Sequence, residues 1–316
     1  MRVYLLVLGL MFTWATAQDA SFRVAANFVK VPVSVFDPHG GLINDLSPAD
    51  FVLRDEGLET PIQNFIIDRA PVNVLLLLDT SGSLRDELDE IRKASLQFAG
   101  SFSREDRISL ISFSDRVEVL QDWTNKFGRI KKSLKRLKRG YRTALYDALL
   151  QAIQDQFKSI SGRRVIILFT DGLDNESMSP YENLGPALNE ADIMLYIVSR
   201  TRLVQPMVRG SARVEFMNRV MKQLLDDDGD FVDTYFQHKE AAMSNLAEST
   251  GGRVLFPKIL EELQDSYRQV AQELKHQYVL TFQSPLESSK FFREISLECQ
   301  REVGRIHYRT QYSWRR

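Results

Sequence analysis

The sequence has 316 residues, a length that suits one α/β domain together with a smaller domain. Its 41 Lys and Arg residues nearly balance its 42 Asp and Glu residues, so the chain lacks the overall basic field that would favour nucleic-acid binding. A single cysteine, Cys299, excludes an internal disulfide framework, so the protein must hold together by its core.

Residues 1–17 have the pattern of a signal peptide. Arg2 supplies a positive charge, and Val3 to Trp14 form an apolar run of about a dozen residues, which is short for a membrane span. Ala15-Thr16-Ala17 matches an A-x-A cleavage site, so we expect a mature chain that begins at Gln18. The alternative is an uncleaved anchor. The sequence thus predicts export to a periplasm, a cell surface or the medium, with no transmembrane span in the mature chain.

Residues 18–70 are predicted to form β-strands. Four valines alternate with other residues with the period of two that a strand requires: Val29, Val31, Val33 and Val35. Phe51–Leu53 and Ile62–Ile67, on either side of a turn at Asp55–Gly57, predict a hairpin. About fifty residues are too few for a core of their own, so we expect partner strands from elsewhere in the chain.

Residues 277–316 have the same character, with strands predicted at Tyr278–Phe282, Ile295–Cys299 and Ile306–Trp314. This segment is also too small to fold alone. We therefore expect the two terminal segments to pair into one small β-domain.

The central residues, 71–276, alternate strands with helices, which is typical of a mostly parallel sheet in an α/β domain. Val74–Leu78 and Val165–Phe169 are apolar throughout, as strands buried on both faces are. Between residues 201 and 236 the chain departs from this alternation, and the role of that stretch is open.

Both buried strands are followed by an aspartate, Asp79 and Asp171. Parallel strands deliver their carboxyl ends to one edge of a sheet, where open α/β sheets bind ligands. Two hydroxyl residues, Ser81 and Ser83, follow Asp79, and Thr143 stands at the start of a predicted helix. Taken singly, each of these residues could equally be a helix cap or a turn residue.

Together these five side chains would offer two carboxylates and three hydroxyls. Zinc, copper and iron fit poorly, because no histidine or cysteine lies in these motifs. All-oxygen ligation suits Mg²⁺, with Mn²⁺ or Ca²⁺ as alternatives. The hydroxyls add no negative charge, so the ion would stay electrophilic toward a carboxylate. Such a site is suited to a protein ligand that presents an Asp or Glu side chain.

Three sequence motifs resemble those of von Willebrand factor type A (VWA) domains. Residues 79–83 are similar to the D-x-S-x-S motif, Thr143 after Gly140 to the threonine loop, and residues 169–172 to the second aspartate loop. The resemblance implies a doubly wound, Rossmann-like sheet and a MIDAS-type metal site for protein binding or cell adhesion. By that resemblance Ser81, Ser83 and Thr143 would coordinate the metal, and Asp79 and Asp171 would bind it directly or through water. With the signal peptide and residues 249–256, the chain is also similar to exported bacterial VWA-related proteins.

A basic stretch precedes Thr143 on a predicted short helix. It holds Lys131, Lys135, Lys138, Arg139 and Arg142 with no intervening acid. One interpretation is a solvated helix face; the other is a patch that steers an acidic partner. Nucleic acid is disfavoured, because almost no aromatic residues interleave with these charges.

The sequence disfavours an enzyme. Ser81 stands where an aspartic-protease turn needs glycine, and where a phosphoaspartate hydrolase would have a second acid. The G-x-S-x-G motif of a serine hydrolase is absent, and the four histidines lie outside the motif loops. The remaining alternative is a VWA-fold structural or assembly module without a functional metal.

Overall fold

The structure is a computed structural model that describes residues 28–82, 85–209, 230–284 and 290–314. The predicted signal peptide, Ser83 and most of the 201–236 stretch lie outside these residues. Among the helices in the described ranges, none combines the length and apolarity needed to cross a bilayer.

Fourteen strands lie in the described ranges: β1 (Phe28–Phe36), β2 (Phe51–Asp55), β3 (Leu58–Glu59), β4 (Asn64–Ile67), β5 (Val72–Asp79), β6 (Arg107–Phe113), β7 (Val117–Thr124), β8 (Arg163–Thr170), β9 (Ile193–Ser199), β10 (Val254–Leu255), β11 (Tyr278–Gln283), β12 (Phe292–Cys299), β13 (Arg305–Tyr308) and β14 (Gln311–Ser313). The described α-helices are α1 (Arg85–Gly100), α2 (Phe127–Leu134), α3 (Leu145–Gln151), α4 (Leu184–Glu190), α5 (Thr201–Arg209), α6 (Phe231–Ser249) and α7 (Glu262–Lys275). Short 3-10 turns lie at Pro48–Asp50 and Tyr181–Asn183, and a π-helical turn, Ala152–Gln156, continues α3.

The central sheet has six strands in the order β10-β9-β8-β5-β6-β7. All neighbours are parallel except β7, which runs antiparallel to β6. The chain moves outward from β5 to β7, returns to β8 beside β5, and moves outward again to β10. The strand order therefore reverses between β5 and β8, and this is the point where a doubly wound sheet opens a crevice for ligands. The predicted fold class is confirmed.

Strand β5 is buried on both faces, as its apolar run predicts. Leu76 packs with α1, α2 and α7 in one core cluster, whereas Leu77 packs with α3, α4 and α6 in the other. Successive side chains of a strand point to opposite faces, so a continuous apolar run supplies both clusters. Burying each such leucine contributes about 1.5–3 kcal/mol, and these two layers fix where the ends of β5 and β8 lie.

The terminal segments form two antiparallel sheets, with strand orders β13-β1-β11-β4 and β14-β12-β2-β3. Val33 of β1 is opposite Tyr278 of β11, and Leu53 of β2 is opposite Leu297 of β12. Each sheet thus takes strands from both ends of the described chain. The domain boundaries at residues 70 and 276 stay predictions.

The predicted hairpin of β2 with residues 62–67 is wrong. The turn residues Glu56 and Gly57 both have positive φ, at 50° and 82°, so the chain reverses within two residues. As a result β2 pairs with the short strand β3, so that Asp55 is opposite Leu58 and Arg54 is opposite Glu59. Strand β4 instead crosses to the other sheet and pairs with β11.

A buried ion pair lies within this β-region. Arg293 Nη2 is 2.7 Å from Asp55 Oδ2, and both side chains are 0% exposed. Asp55 also accepts hydrogen bonds from Ser284 Oγ at 2.6 Å and from Tyr312 Oη at 3.1 Å. The carboxylate is therefore well satisfied, which a charge removed from water requires.

Two helices differ from their predicted extent. The sequence pattern predicts a helix from Thr143 to about residue 160, but the helix changes to a π-helical turn at Ala152. The sequence pattern also predicts a helix at 241–249; this helix begins earlier, at Phe231, because Asp230 caps it by accepting the Val232 and Asp233 amides. The helix α5 directly after β9 was not predicted.

Candidate functional site

The candidate site lies at the carboxyl ends of β5 and β8, at the reversal of strand order. Asp79 is the last residue of β5, Asp171 follows β8, and Thr143 precedes α3. The loops that carry Ser81 and Thr143 are joined by main-chain hydrogen bonds, from Gly140 N to Thr80 O at 3.0 Å and from Gly82 N to Gly140 O at 3.2 Å. The strand ends and this loop pairing bring four of the five predicted residues together.

Gly140 is required by the close approach of these loops. A Cβ at this position would lie 2.1 Å from the Ser114 side chain. Such a contact is far inside van der Waals distance, so any other residue would push the loop that carries Thr143 away from Ser81. The Gly140 that precedes Thr143 in the sequence therefore has a packing role in forming the site.

The hydroxyl and carboxylate oxygens form one buried cluster. Ser81 Oγ donates to Asp79 Oδ1 at 2.5 Å, and Thr143 Oγ1 donates to Ser81 Oγ at 2.7 Å. Asp79, Ser81, Thr143 and Asp171 are all buried. Thr170 Oγ1 supports the cluster from behind by donating to Asp79 Oδ2 at 2.8 Å. Hydroxyls and carboxylates this close together form a donor set that a hard cation prefers.

Asp171 faces the same cluster from β8. Its Oδ1 accepts the Leu173 amide at 3.0 Å, so its own loop orients the carboxyl group. Its Oδ2 lies 3.0 Å from Arg200 Nη2. One carboxylate oxygen of Asp171 therefore binds an amide of its own loop, and the other pairs with the Arg200 guanidinium.

Arg200, which sequence reasoning missed, is the cation at this site. It follows β9, the neighbour of β8, and is 3% exposed. Besides Asp171, its Nη2 donates to Ser81 O at 2.6 Å and approaches Ser81 Oγ at 3.4 Å. Its Nη1 lies 2.9 Å from Glu87 Oε1 on α1. The one signal in the sequence for a role of Arg200 was its position directly after a buried strand. This position indicates a role at the site only when β9 is known to be the neighbour of β8.

The charges at the site perturb one another. Burial raises the pKa of Asp79 to about 6; Arg200 opposes this rise and the like charge of Asp171 adds to it. For Arg200, burial disfavours the charged form, but Asp171, Asp79 and Glu87 outweigh it and raise its pKa above the usual value. The guanidinium is therefore a permanent positive charge between carboxylates.

A cleft of about 570 Å³ opens over the cluster. Its polar lining residues include Ser81, Thr143, Asp171 and Arg200. Its apolar lining residues are Leu173, Leu203, Val204, Ile259 and Leu260. A ligand in this cleft would therefore meet both charged or hydroxyl groups and hydrocarbon.

Two further acids of the motif loops have structural partners. Asp174 accepts the Tyr146 amide at 3.1 Å and the Ser177 hydroxyl at 2.6 Å, which ties its loop to the start of α3. Asp147 accepts the Met178 and Ser179 amides at 2.9 and 3.0 Å. Both aspartates bind backbone amides, as their positions in loops and near a helix start suggest. Ser83 lies outside the described residues.

The predicted basic residues are exposed, but they do not share one helix face. Helix α2 ends at Leu134, so Lys131 is on the helix while Lys135, Lys138 and Arg139 lie on the segment that runs to Gly140. Arg142 lies next to Thr143 and is 2.7 Å from Glu176 Oε1. The basic stretch therefore leads directly into the loop that positions Thr143.

Comparison with known proteins identifies the central domain. The von Willebrand factor type A domain family matches residues 74–173, which include Asp79, Thr143 and Asp171. No curated protein sequence is significantly similar to the chain.

Several solved structures resemble the chain at low sequence identity. Proximal thread matrix protein 1 from the mussel byssus is 15% identical with a TM-score of 0.48, and the match covers 70% of this chain and 51% of the mussel chain. This chain thus spans about half of the mussel protein. A further structure of that protein, described with a zinc-occupied MIDAS motif, is 16% identical with a TM-score of 0.44, covering 65% of this chain and 48% of its own. An aerotolerance-related membrane protein from Bacteroides fragilis is 15% identical with a TM-score of 0.43, covering 64% of this chain and 98% of its own.

The family match covers the strands and loops that form the site, and the strand order is that of a doubly wound sheet. Residues 74–173 therefore match the von Willebrand factor type A domain family, and they lie in a mostly parallel, Rossmann-like sheet.

Proposed function

We propose that this is an exported, metal-dependent protein-binding or adhesion module, in which a cation in the VWA cleft accepts an Asp or Glu side chain of a partner protein. The observation that carries the proposal is the convergence of Asp79, Ser81, Thr143 and Asp171 on one buried cluster at the strand-order reversal. VWA domains are typically interaction modules, and the described chemistry of this site agrees with such a role.

The residues fit a hard divalent cation. Ser81 Oγ lies within hydrogen-bond distance of both Asp79 and Thr143, so three oxygen donors already share one small volume. Asp79, Ser81, Thr143 and Asp171, with Ser83 from the sequence motif, would hold Mg²⁺, or Mn²⁺ or Ca²⁺. A bound ion would supply an electrophilic position for a carboxylate. The neutral hydroxyls of Ser81 and Thr143 would help to hold the ion without adding negative charge to the site.

The cleft favours recognition over reaction. Among its described lining residues there is no histidine or cysteine, so the usual nucleophile–base pairs of hydrolases are not assembled there. Its apolar lining residues, which include Leu203 and Ile259, suit the side chains that flank an acidic residue in a protein ligand. The exposed basic residues around Lys138 and Arg142 would raise the association rate of an acidic partner.

A second candidate function is supported by Arg200. Because its guanidinium already lies between Asp171 and Glu87, the site has a counter-charge of its own. The alternative proposal is a VWA-fold assembly module that binds its partner without a metal.

Calorimetric titration of the full chain with MgCl₂ and MnCl₂ tests the metal site. We expect binding to wild type and weaker or no binding to Ser81→Ala and Thr143→Ala. Ser109→Ala, a buried serine in the interior of β6, is the matched control and should bind as wild type does. Equal affinity in all four proteins would contradict the metal site.

Capture of partners from the envelope of the producing cells, with and without EDTA, then separates the two functions. Partner retention that is lost in EDTA supports the metal-dependent function. Retention that survives EDTA supports the assembly module. If rising salt leaves the association rate unchanged, the basic residues have no steering role.

A further inference from the structure

We infer that Arg200 is a resident cation that competes with a metal ion for the oxygen cluster, and that it thereby sets the metal affinity of the site. This inference rests on the proposed metal-binding function. It concerns a residue outside the predicted ligand set, and its effect is opposite in sign to that of the ligands.

The first support is the position of the guanidinium. Its Nη2 contacts two groups that a metal ion would use, the Asp171 carboxylate at 3.0 Å and the Ser81 hydroxyl at 3.4 Å. A divalent ion drawn to these oxygens would lie within a few ångströms of a positive charge. At that separation two like charges repel strongly even at an effective dielectric constant of about 20.

The second support is the way Arg200 is held. The Ser81 carbonyl accepts from Nη2 at 2.6 Å, and Glu87 pairs with Nη1 at 2.9 Å. These two anchors come from the loop after β5 and from α1, so the guanidinium is fixed from two sides without relying on Asp171. A side chain that is 3% exposed and fixed in this way does not move aside without losing several charge-assisted hydrogen bonds.

The third support is the charge balance. Asp171 and Glu87 pair with one guanidinium, and Asp79, which receives hydrogen bonds from Ser81 and Thr170, interacts with it electrostatically. Arg200 therefore reduces the net negative charge that would otherwise attract a cation into the cluster. It also stabilises the loops in the absence of an ion, because buried carboxylates need a paired charge.

The test is titration of the full-length chain with MgCl₂ and MnCl₂ in wild type, Arg200→Gln and Arg202→Gln. Gln at position 200 keeps a hydrogen-bond donor but removes the charge. We expect Arg200→Gln to bind the ions at least about tenfold more tightly than wild type. Arg202→Gln is the matched control, because Arg202 pairs with Glu240 rather than with the site, and its affinity should equal that of wild type.

The metal-dependent melting temperature gives a second readout. Without metal, Arg200→Gln should melt below wild type, and millimolar MgCl₂ should raise its melting temperature more than that of wild type. If Arg200→Gln does not fold, guanidinium NMR of wild type replaces it: the Arg200 Nη resonances should be resolved without metal and should shift or broaden with MgCl₂.

The outcomes separate the inference from the proposed function. Two results would overturn the inferred competition between Arg200 and the metal while leaving the metal site intact. One is equal metal affinity of wild type and Arg200→Gln, and the other is Arg200 resonances that do not change when an ion binds. Absence of metal binding in both proteins would overturn the metal site itself, and the competition with it. Tighter binding confined to Arg200→Gln supports both.

Discussion

The hydroxyl of Thr170 donates a 2.8 Å hydrogen bond to Asp79 Oδ2 across 91 residues of sequence, and its oxygen also accepts the Gly172 amide at 3.0 Å. Thr170 thus links the carboxylate that ends β5 to the loop that carries Asp171. The relationship fixes the two predicted acidic ligands relative to each other. It depends on a residue with 0% exposure that no ligand can reach.

Thr170→Val keeps the shape of the side chain but removes both hydrogen bonds. We expect the free energy of unfolding to fall by about 1–3 kcal/mol, because a buried carboxylate oxygen and a buried amide lose a partner. Urea denaturation measures this change. Thr281→Val, a half-buried threonine on β11, is the control and should change stability by less than about 0.5 kcal/mol. A neutral effect of Thr170→Val would contradict a stabilising role for its two hydrogen bonds.

Gly140→Ala should displace the loop that holds Thr143. The added Cβ would meet the Ser114 side chain at 2.1 Å, so we expect a loss of about 1–3 kcal/mol in stability and weaker metal binding. Denaturation and calorimetry measure the two effects. Gly128→Ala is the matched control: it lies in α2 with nothing within 4 Å of its Cβ, and should be neutral or stabilising by up to about 1 kcal/mol.

Arg293→Met should destabilise the β-region strongly. The substitution leaves the Asp55 carboxylate buried without its cation, which typically costs about 3–5 kcal/mol. Arg54→Met removes the partner of Glu298, an ion pair in which Glu298 is 64% exposed, and should cost no more than about 1 kcal/mol. Similar losses in the two variants would mean that Asp55 is satisfied by Ser284 and Tyr312 alone.

His307 should make the protein sensitive to acid. Burial, with help from Arg253 and Arg305, lowers the pKa of His307 to about 3, below the usual 6.5. The folded state keeps this imidazole neutral while the unfolded state takes up a proton below pH 6.5. Stability from this group is therefore complete above pH 6.5 and is lost as the pH falls toward 3, by up to about 1.4 kcal/mol per pH unit.

Urea denaturation of wild type and His307→Gln between pH 7 and pH 4 tests this dependence. The stability difference between the two proteins should change with pH in that interval, with the variant losing less stability on acidification. His276→Gln alters an exposed histidine at the end of α7 and serves as the control. Parallel profiles for wild type and His307→Gln would assign the acid sensitivity to other groups.

Much of the α/β fold follows from local patterns. Residues 74–78 and 165–169 are all apolar, whereas a strand with one face in water would alternate apolar and polar residues. These runs therefore place β5 and β8 in the middle of a sheet that is covered on both faces. Given parallel strands, Asp79 and Asp171 must then share an edge. The fold class is confirmed and residues 74–173 match the expected family, whereas the role of the site residues as metal ligands stays a prediction.

The remaining features depend on contacts that no local pattern encodes. Arg200 reaches Asp171 because β9 adjoins β8, and Glu87 reaches Arg200 because α1 packs beside the cleft. Strand β4 was predicted to join β2 because sequence neighbours commonly pair. The tight turn at Glu56 and Gly57 gave that place to β3 instead. In both cases the contact depends on which strands are neighbours in the folded sheet.

The division of the β-region between distant parts of the chain has a consequence for biosynthesis. A ribosome completes β1 and β2 long before β11 and β12 exist, so these strands wait with unpaired edges, a state prone to wrong association. The α/β domain encoded between them can fold during that interval. Its chain entry and exit are adjacent, since Asp68 N donates to Gln277 O at 2.8 Å. A folded VWA domain would hold the early and late strands close together through this contact, so we expect a destabilised VWA domain to impair maturation of the whole chain.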